Sequence, residues 1–474
     1  MAAQPPTTPP AGKKVMTPPE KQAVFCTKDT GYRGIWHGQT PTRDEYAYKY
    51  SGGLGTYPHQ HRPFAVYRPE VHRTFFVWGG APVDSWTRPR NESFGEGQLL
   101  HMVSYYDHAT GRVPRPTILL DKWCSDPHDN PVLSIDEAGH LWVFSPSHGS
   151  GTTPSFIHRS VRPYDIDRFE TVEESLYAYP QPWHVPGEGF VLLHTLYQKG
   201  RALHVRRSDA EGRRWTEPAP LAKIAQGSYQ TSALRPDGRA VGTAFNYHPP
   251  VGGLEARTNL YYMESHDLGR TWQTADGRPV PVPLTEPRNP ALVHEYEAEG
   301  RKVYLKDFTF DGDGRPVILY LTSGGHEPGP KNDPRIWKTA RWTGREWVRR
   351  DFTRSDNNYD MGQLSIEAPD LWRVIAPTET GAQPFNPGGE VALWLSRDQG
   401  LTWKRERMLT QGSRYNHTFV RRPANAHPDF YAFWADGDAR RPSASRLYFS
   451  NRDGTEVRVL PEQMTADAAV PERV

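Results

Sequence analysis

Seven short clusters of side chains that titrate, donate or accept hydrogen bonds recur along the chain. They are Tyr57-Pro58-His59-Gln60-His61, His128-Asp129-Asn130-Pro131, Tyr177-Ala178-Tyr179-Pro180-Gln181, Ser228-Tyr229-Gln230, Arg288-Asn289-Pro290, Asn357-Asn358-Tyr359-Asp360 and Tyr415-Asn416-His417. Histidine changes charge near neutrality and serves as acid or base. Tyrosine donates or accepts through one hydroxyl. An apolar run one strand long follows each cluster, and usually a second run follows that, as at 132–135 and 141–144. Such clusters meet only if successive strands share an axis. Some of these residues would then cap strands or hold buried water, but a ring of seven is more polar than packing requires.

The turns supply that axis. Ser265-His266-Asp267-Leu268-Gly269-Arg270-Thr271-Trp272 and Ser396-Arg397-Asp398-Gln399-Gly400-Leu401-Thr402-Trp403 both read S-x-D-x-G-x-T-W, and Ser208, Gly212 and Trp215 keep the Ser/Gly/Trp offsets. The Asp suits backbone N–H groups within a turn, the Gly suits positive φ, and the Trp folds back on the sheet. Similar polar turns lie near Ser104, Ser160, Thr339 and Ser450. Units of this length point to a propeller or solenoid. The predicted fold is all-β: one seven-bladed β-propeller of four-stranded antiparallel blades. The expected divisions are a Pro/Thr-rich disordered leader at 1–25, the propeller at 26–460 and a tail at 461–474. Gly31 to Trp36 is a spare strand expected to close the ring with blade seven.

Composition excludes other classes. The chain has 474 residues, Lys+Arg 57 against Asp+Glu 55, and no basic block, which disfavours nucleic acid. No apolar stretch reaches the roughly 18 residues of a membrane helix. Cys26 and Cys124 allow one disulfide at most. The first residues carry no apolar core of a signal peptide.

With His128-Asp129-Asn130-Pro131-Val132-Leu133, Asn259-Leu260-Tyr261-Tyr262-Met263 and Tyr415 to Pro423, the repeats resemble BNR-repeat propellers of bacterial polysaccharide utilisation, including ulvan lyases. Lys49 to Tyr57, followed by His61-Arg62-Pro63-Phe64-Ala65, looks most like the branch acting on L-rhamnose–α-1,4–glucuronate. The resemblance implies His128 and His148 as a catalytic pair, with Tyr197 in the next blade. His248 stands where a carboxylate-binding Arg is expected, with Arg257 and Arg207 as substitutes. The rhamnosidase-like branch implies His61 as a single catalytic histidine. Trp36, Tyr57, Tyr179, Trp183, Tyr229 and Tyr359 would stack on sugar, and Asn358, Asn416 and His417 would complete the binding surface.

Elimination at a 4-linked uronate needs a base for the C5 proton, a group that neutralises the carboxylate, and an acid for the departing O4. His128, His148, Tyr197, His248 and Arg257 fit that inventory. Ordinary glycoside hydrolysis needs two carboxylates at a defined separation, and no spacing singles out a pair among Asp129, Asp307, Asp356, Asp360 and Glu295. The expected activity is therefore that of a polysaccharide lyase, with α-L-rhamnosidase through His61 as the first alternative and a non-catalytic carbohydrate-binding propeller as the second. No cofactor is required. His59, His61, His128 and His417 form no tight metal motif, whereas a structural Ca2+ is compatible. His72, His101, His108, His140 and His204 read as isolated packing or surface residues. The expected partner is a poly- or oligosaccharide, with no nucleic acid or membrane, acting on a monomer in the periplasm or outside the cell.

Overall fold

The computed structural model describes residues 24–55, 60–83, 99–124, 126–148 and 154–474. Seven sheets follow one another in chain order, each built on four antiparallel strands. The blades span 65–121, 132–175, 178–222, 230–294, 302–355, 363–408 and 416–459. Six of the seven polar-turn markers read from sequence lie on the third strand of a blade, and Ser208 directly follows one. Burial falls from the middle of a blade outward. In blade 5 the second strand, Pro316–Ser323, is wholly buried, while the outer strand, Trp347–Ser355, is half-exposed. Aromatic side chains weld neighbouring blades, as where Trp142 of blade 2 meets Phe190 of blade 3 at 5.0 Å.

Antiparallel order sorts the connections by face. First-strand starts and second-to-third connections lie on one face, here called the mouth. First-to-second and third-to-fourth turns lie on the opposite face. The repeated motif occupies third-to-fourth turns. Asp267 accepts from the backbone N–H groups of Arg270 and Thr271, and Gly269 takes φ +79°. Asp398 repeats the bond to Thr402. Asp267→Ala should lower stability by about 1–3 kcal/mol, since hydrogen bonds to a charged group are lost. Thermal unfolding should report that loss while activity is retained.

Three expectations need correction. Gly31 to Trp36 does not join blade 7 as a strand. It crosses the seam, with Gly34 bonding Ser445 of blade 7 and Ile35 bonding Gly79 of blade 1. Closure instead uses both termini. Thr27–Lys28 extends blade 1, Glu472–Arg473 extends blade 7, and Ala468–Ala469 pairs with Val113–Pro114. Second, Arg288-Asn289-Pro290 does not start blade 5. It precedes the outer strand of blade 4, Leu292–His294, and blade 5 starts at Lys302–Phe310. The long segment after the blade 4 turn displaced the count. Third, His72 and His108 are not isolated, because blade 7 brings His427 to both.

Cys26 and Cys124 are both free thiols. Residues 1–23 of the expected leader, and Tyr57 and His59, lie outside the described residues.

Candidate active site

The mouth is organised by Asp126. Asp126-Pro127-His128-Asp129 forms a single 3-10 turn, with the Asp126 carboxylate capping the His128 N–H at 2.9 Å. The same carboxylate bridges two imidazoles, Oδ1 to His128 Nδ1 at 2.6 Å and Oδ2 to His148 Nδ1 at 2.7 Å. The rings stack with centroids 4.0 Å apart. Asp129 holds the other end, accepting the His148 backbone N–H at 2.5 Å. A carboxylate at Nδ1 leaves Nε2 of each ring as the basic nitrogen. The His148 side chain is 21% exposed and that of His128 8%, so His148 is the more open of the two.

Burial and the neighbouring His148 push the His128 pKa down to about 4, although Asp126 pulls it up. Burial also acts on Asp126, but His128 and His148 outweigh it and hold the carboxyl well below its usual range. His128 is thus neutral and basic well below neutrality. If it is the base, the acidic limb of kcat/KM should fall near pH 4 rather than 6.5, because the competent form is lost only on protonation. A pH–rate profile checks this.

Blade 3 adds a phenol and a cation. Tyr197 ends strand Gly189–Tyr197 and Arg201 starts Arg201–Arg207, where the two are cross-strand partners across a tight turn. The Arg201 guanidinium lies 5.3 Å from the Tyr197 ring, and that ring lies 5.5 Å from His148. The Tyr197 hydroxyl is 2.8 Å from that of Tyr179. Tyr179 sits at a register break in its strand with φ +52°, a bulge that turns its ring into the cluster. Burial raises the Tyr197 pKa despite Arg201, so this phenol stays protonated.

The arc continues through Tyr229, which lies 5.5 Å from Tyr179 and carries Arg201 at 5.4 Å and Arg257 at 5.3 Å. Fully buried Arg257 also faces Tyr304 and Tyr359, and its Nη2 donates to the Tyr50 hydroxyl at 3.3 Å. Burial would raise the Tyr50 pKa, but Arg257 and Lys49 prevail and lower it. His248 is fully buried 5.1 Å from Tyr229, and neither ring nitrogen has a hydrogen-bond partner among the described residues. Asn358 donates to the Tyr304 hydroxyl and to the Gly325 carbonyl. Tyr359 packs on Tyr50 at 4.7 Å.

Of the remaining predicted residues, His61 packs behind the cluster with its ring 5.5 Å from Tyr179, and the others stand apart. His61 is 0% exposed, its Nε2 is 2.7 Å from the His128 carbonyl, and burial pushes its pKa down to about 3. Trp183 donates to Ser232 and lies under Arg62, farther along the blade 3 strand than Tyr179. Asn416 clamps the loop carbonyls of Gln383 and Pro387. His417 is held between Trp434 and Ser413. Arg207 ends the strand that Arg201 begins, which places it roughly 20 Å away at about 3.3 Å per residue. Trp36 donates to the Asp438 carbonyl.

Sequence reasoning missed Asp126, Arg201, Tyr50 and Tyr304. Asp126 was visible as the Asp two residues before His128. Arg201 lay four residues beyond Tyr197, across a turn that closes on Gly200.

Fold and site together define a seven-bladed propeller whose mouth carries paired imidazoles, phenols and guanidiniums. A model described as a BNR repeat-containing family member matches residues 96–355, more than half the chain, and the chain belongs to that family. It is similar to the ulvan lyase of Nonlabens ulvanivorans, 23% identical over 344 residues, covering 64% of this chain and 69% of that protein. It is also similar to the ulvan lyase-PL25 of Pseudoalteromonas sp. (strain PLSV), 21% identical over 379 residues, covering 72% and 74%. A solved structure of a polysaccharide lyase PL25 ulvan lyase bound to -[GlcA(1-4)Rha3S]- shares the fold, with a TM-score of 0.66, 14% identity and coverage of 91% and 96%.

Proposed function

We propose that this protein is a polysaccharide lyase that cleaves a 4-linked glucuronate–rhamnose glycan by β-elimination. The observation that carries the reading is the Asp126-bridged histidine pair facing Tyr197 and Arg201. Names of similar proteins support the substrate class.

The chemistry follows from the geometry. Arg201 pairs with the uronate carboxylate and makes the C5 proton more acidic. A basic Nε2, from His148 at the open side or His128 behind it, takes that proton. The electron pair forms the C4=C5 bond as the C4–O4 bond breaks. Tyr197, protonated, donates to the departing O4. Tyr179 holds the Tyr197 hydroxyl in line. No cofactor enters this sequence, and a structural Ca2+ has no part in it.

The surroundings support action at a chain end. The hairpin Trp36–Pro41 and Tyr48–Gly53 reaches across the mouth, with Gln39 on Asp126 and Lys49 on Glu255. The blade 5 loop meets it there, through His326 on Glu255. Such a wall favours a pocket over an open groove. A substrate of this size places a monomeric enzyme outside the cytoplasm. Among the described residues, no helix is long and apolar enough to cross a membrane.

Incubation with ulvan, gum arabic and other uronate polysaccharides is the test. Elimination should raise the short-wavelength ultraviolet absorbance, at about 235 nm, of a conjugated, unsaturated uronate. Release of rhamnose without that absorbance would overturn the reading in favour of hydrolysis. Buried His61, tied to a backbone carbonyl, is poorly placed for that hydrolysis. Retention on the polysaccharide with no product would point to a binding propeller.

A further inference from the structure

On the face opposite the mouth, the seam between the first and last blades gathers three imidazoles. His72 lies in the first-to-second turn of blade 1 and His108 in its third-to-fourth turn. His427 lies in the first-to-second connection of blade 7, with Asp429 two residues on. The His108 and His427 ring centroids are 3.8 Å apart. His72 lies 5.3 Å from His108 and 5.2 Å from His427. One ligand atom each from His108, His427 and Asp429 falls within 4.8 Å of the others.

We propose that His72, His108, His427 and Asp429 bind one first-row divalent cation of the Zn2+ type, which ties blade 1 to blade 7 where the ring closes. Three imidazoles and one carboxylate make a tetrahedral donor set suited to zinc, whereas calcium and magnesium take oxygen ligands. Ligand atoms around tetrahedral zinc stand roughly 3.4 Å apart for bonds of about 2.0–2.1 Å. The 4.8 Å span of His108, His427 and Asp429 closes with small side-chain movements, Asp429 being 64% exposed, and His72 completes the set by turning in from ring-centroid distances of 5.2 and 5.3 Å.

The surroundings are those of a supported metal site. Ligating histidines usually hydrogen-bond through their second nitrogen. His108 Nε2 is 2.8 Å from the Thr74 hydroxyl, and His72 Nδ1 is 3.1 Å from that of Tyr67. That leaves His108 Nδ1, a buried atom without a hydrogen-bond partner among the described residues. Such orphans need an explanation, and a metal bond supplies one. The backbone is already joined here. Tyr67 donates to the Ala424 carbonyl at 3.0 Å, and His108 to the His72 carbonyl at 3.1 Å. A ligand that binds only the folded ring raises its stability by mass action.

The test uses tag-free, EDTA-treated full-length protein and Zn2+ or Co2+ alone. One Zn2+ per chain should bind, measured by equilibrium dialysis with elemental analysis. Co2+ should give visible d–d bands of a tetrahedral site, and Zn2+ should raise Tm. His427→Gln and His72→Gln should lose the bound metal and the Tm rise. Asp126, His128 and His148 in the mouth also bring one ligand atom each within 4.8 Å of the others, and His148→Ala, which disrupts that group, should keep both. Absence of binding to the parent protein overturns the proposal. So does binding that survives His427→Gln and His72→Gln, or that is lost in His148→Ala.

Discussion

Asp126→Asn is expected to lower kcat about 1,000- to 10,000-fold, the scale seen when a catalytic histidine loses its orienting carboxylate. The carboxylate accepts from Nδ1 of both imidazoles and from the His128 N–H. An amide has one acceptor oxygen, so it cannot satisfy both rings in one tautomer. One ring would turn its basic nitrogen away from the substrate. A second readout separates this from simple damage. Asp126 pulls the His128 pKa upward. Its loss should move the acidic limb of residual activity to lower pH. Steady-state kinetics across pH, with circular dichroism to confirm folding, checks both. Near-parental kcat in a folded Asp126→Asn protein would remove the histidine pair from the mechanism.

Arg201→Ala is expected to cost about 100- to 1,000-fold in kcat/KM, as for removal of one preorganised charge-stabilising donor. Arg201→Lys should recover part of it, because a point charge replaces a planar fork. Arg207→Ala should stay near the parent, since that side chain ends the strand far from the mouth. The role is tested through the substrate. If Arg201 neutralises the uronate carboxylate, a methyl-esterified uronate should be far less sensitive to Arg201→Ala. Equal losses on ester and free acid would assign Arg201 to packing on Tyr197 and Tyr229.

The propeller was legible because its signals are local. The Asp267 and Asp398 turns bond to residues three and four positions on, so the motif and its period are written within eight residues. The histidine pair was singled out through a resemblance, and the structure brings His128, His148 and Tyr197 together. Where the reading went astray, contacts between distant segments decided. Arg207 and Arg201 look equivalent in a strand, but strand direction puts them at opposite ends. Asn416 and His417 sit at a strand start, yet neighbouring loop and strand groups take up their polar atoms.

By itself, then, the sequence determined what turn chemistry and period can specify: strands, seven units, the face on which polar side chains gather, and an acid–base inventory in which no spacing singles out a carboxylate pair. Only the tertiary structure decided which cation lies beside Tyr197, that one carboxylate serves two imidazoles, that His61 is walled off from solvent, and that His72, His108 and His427 meet across more than 300 positions of chain. The division has one physical cause. Hydrogen bonds within a turn depend on near neighbours. A site in the mouth, or at the seam, depends on how a closed ring of blades brings remote residues together.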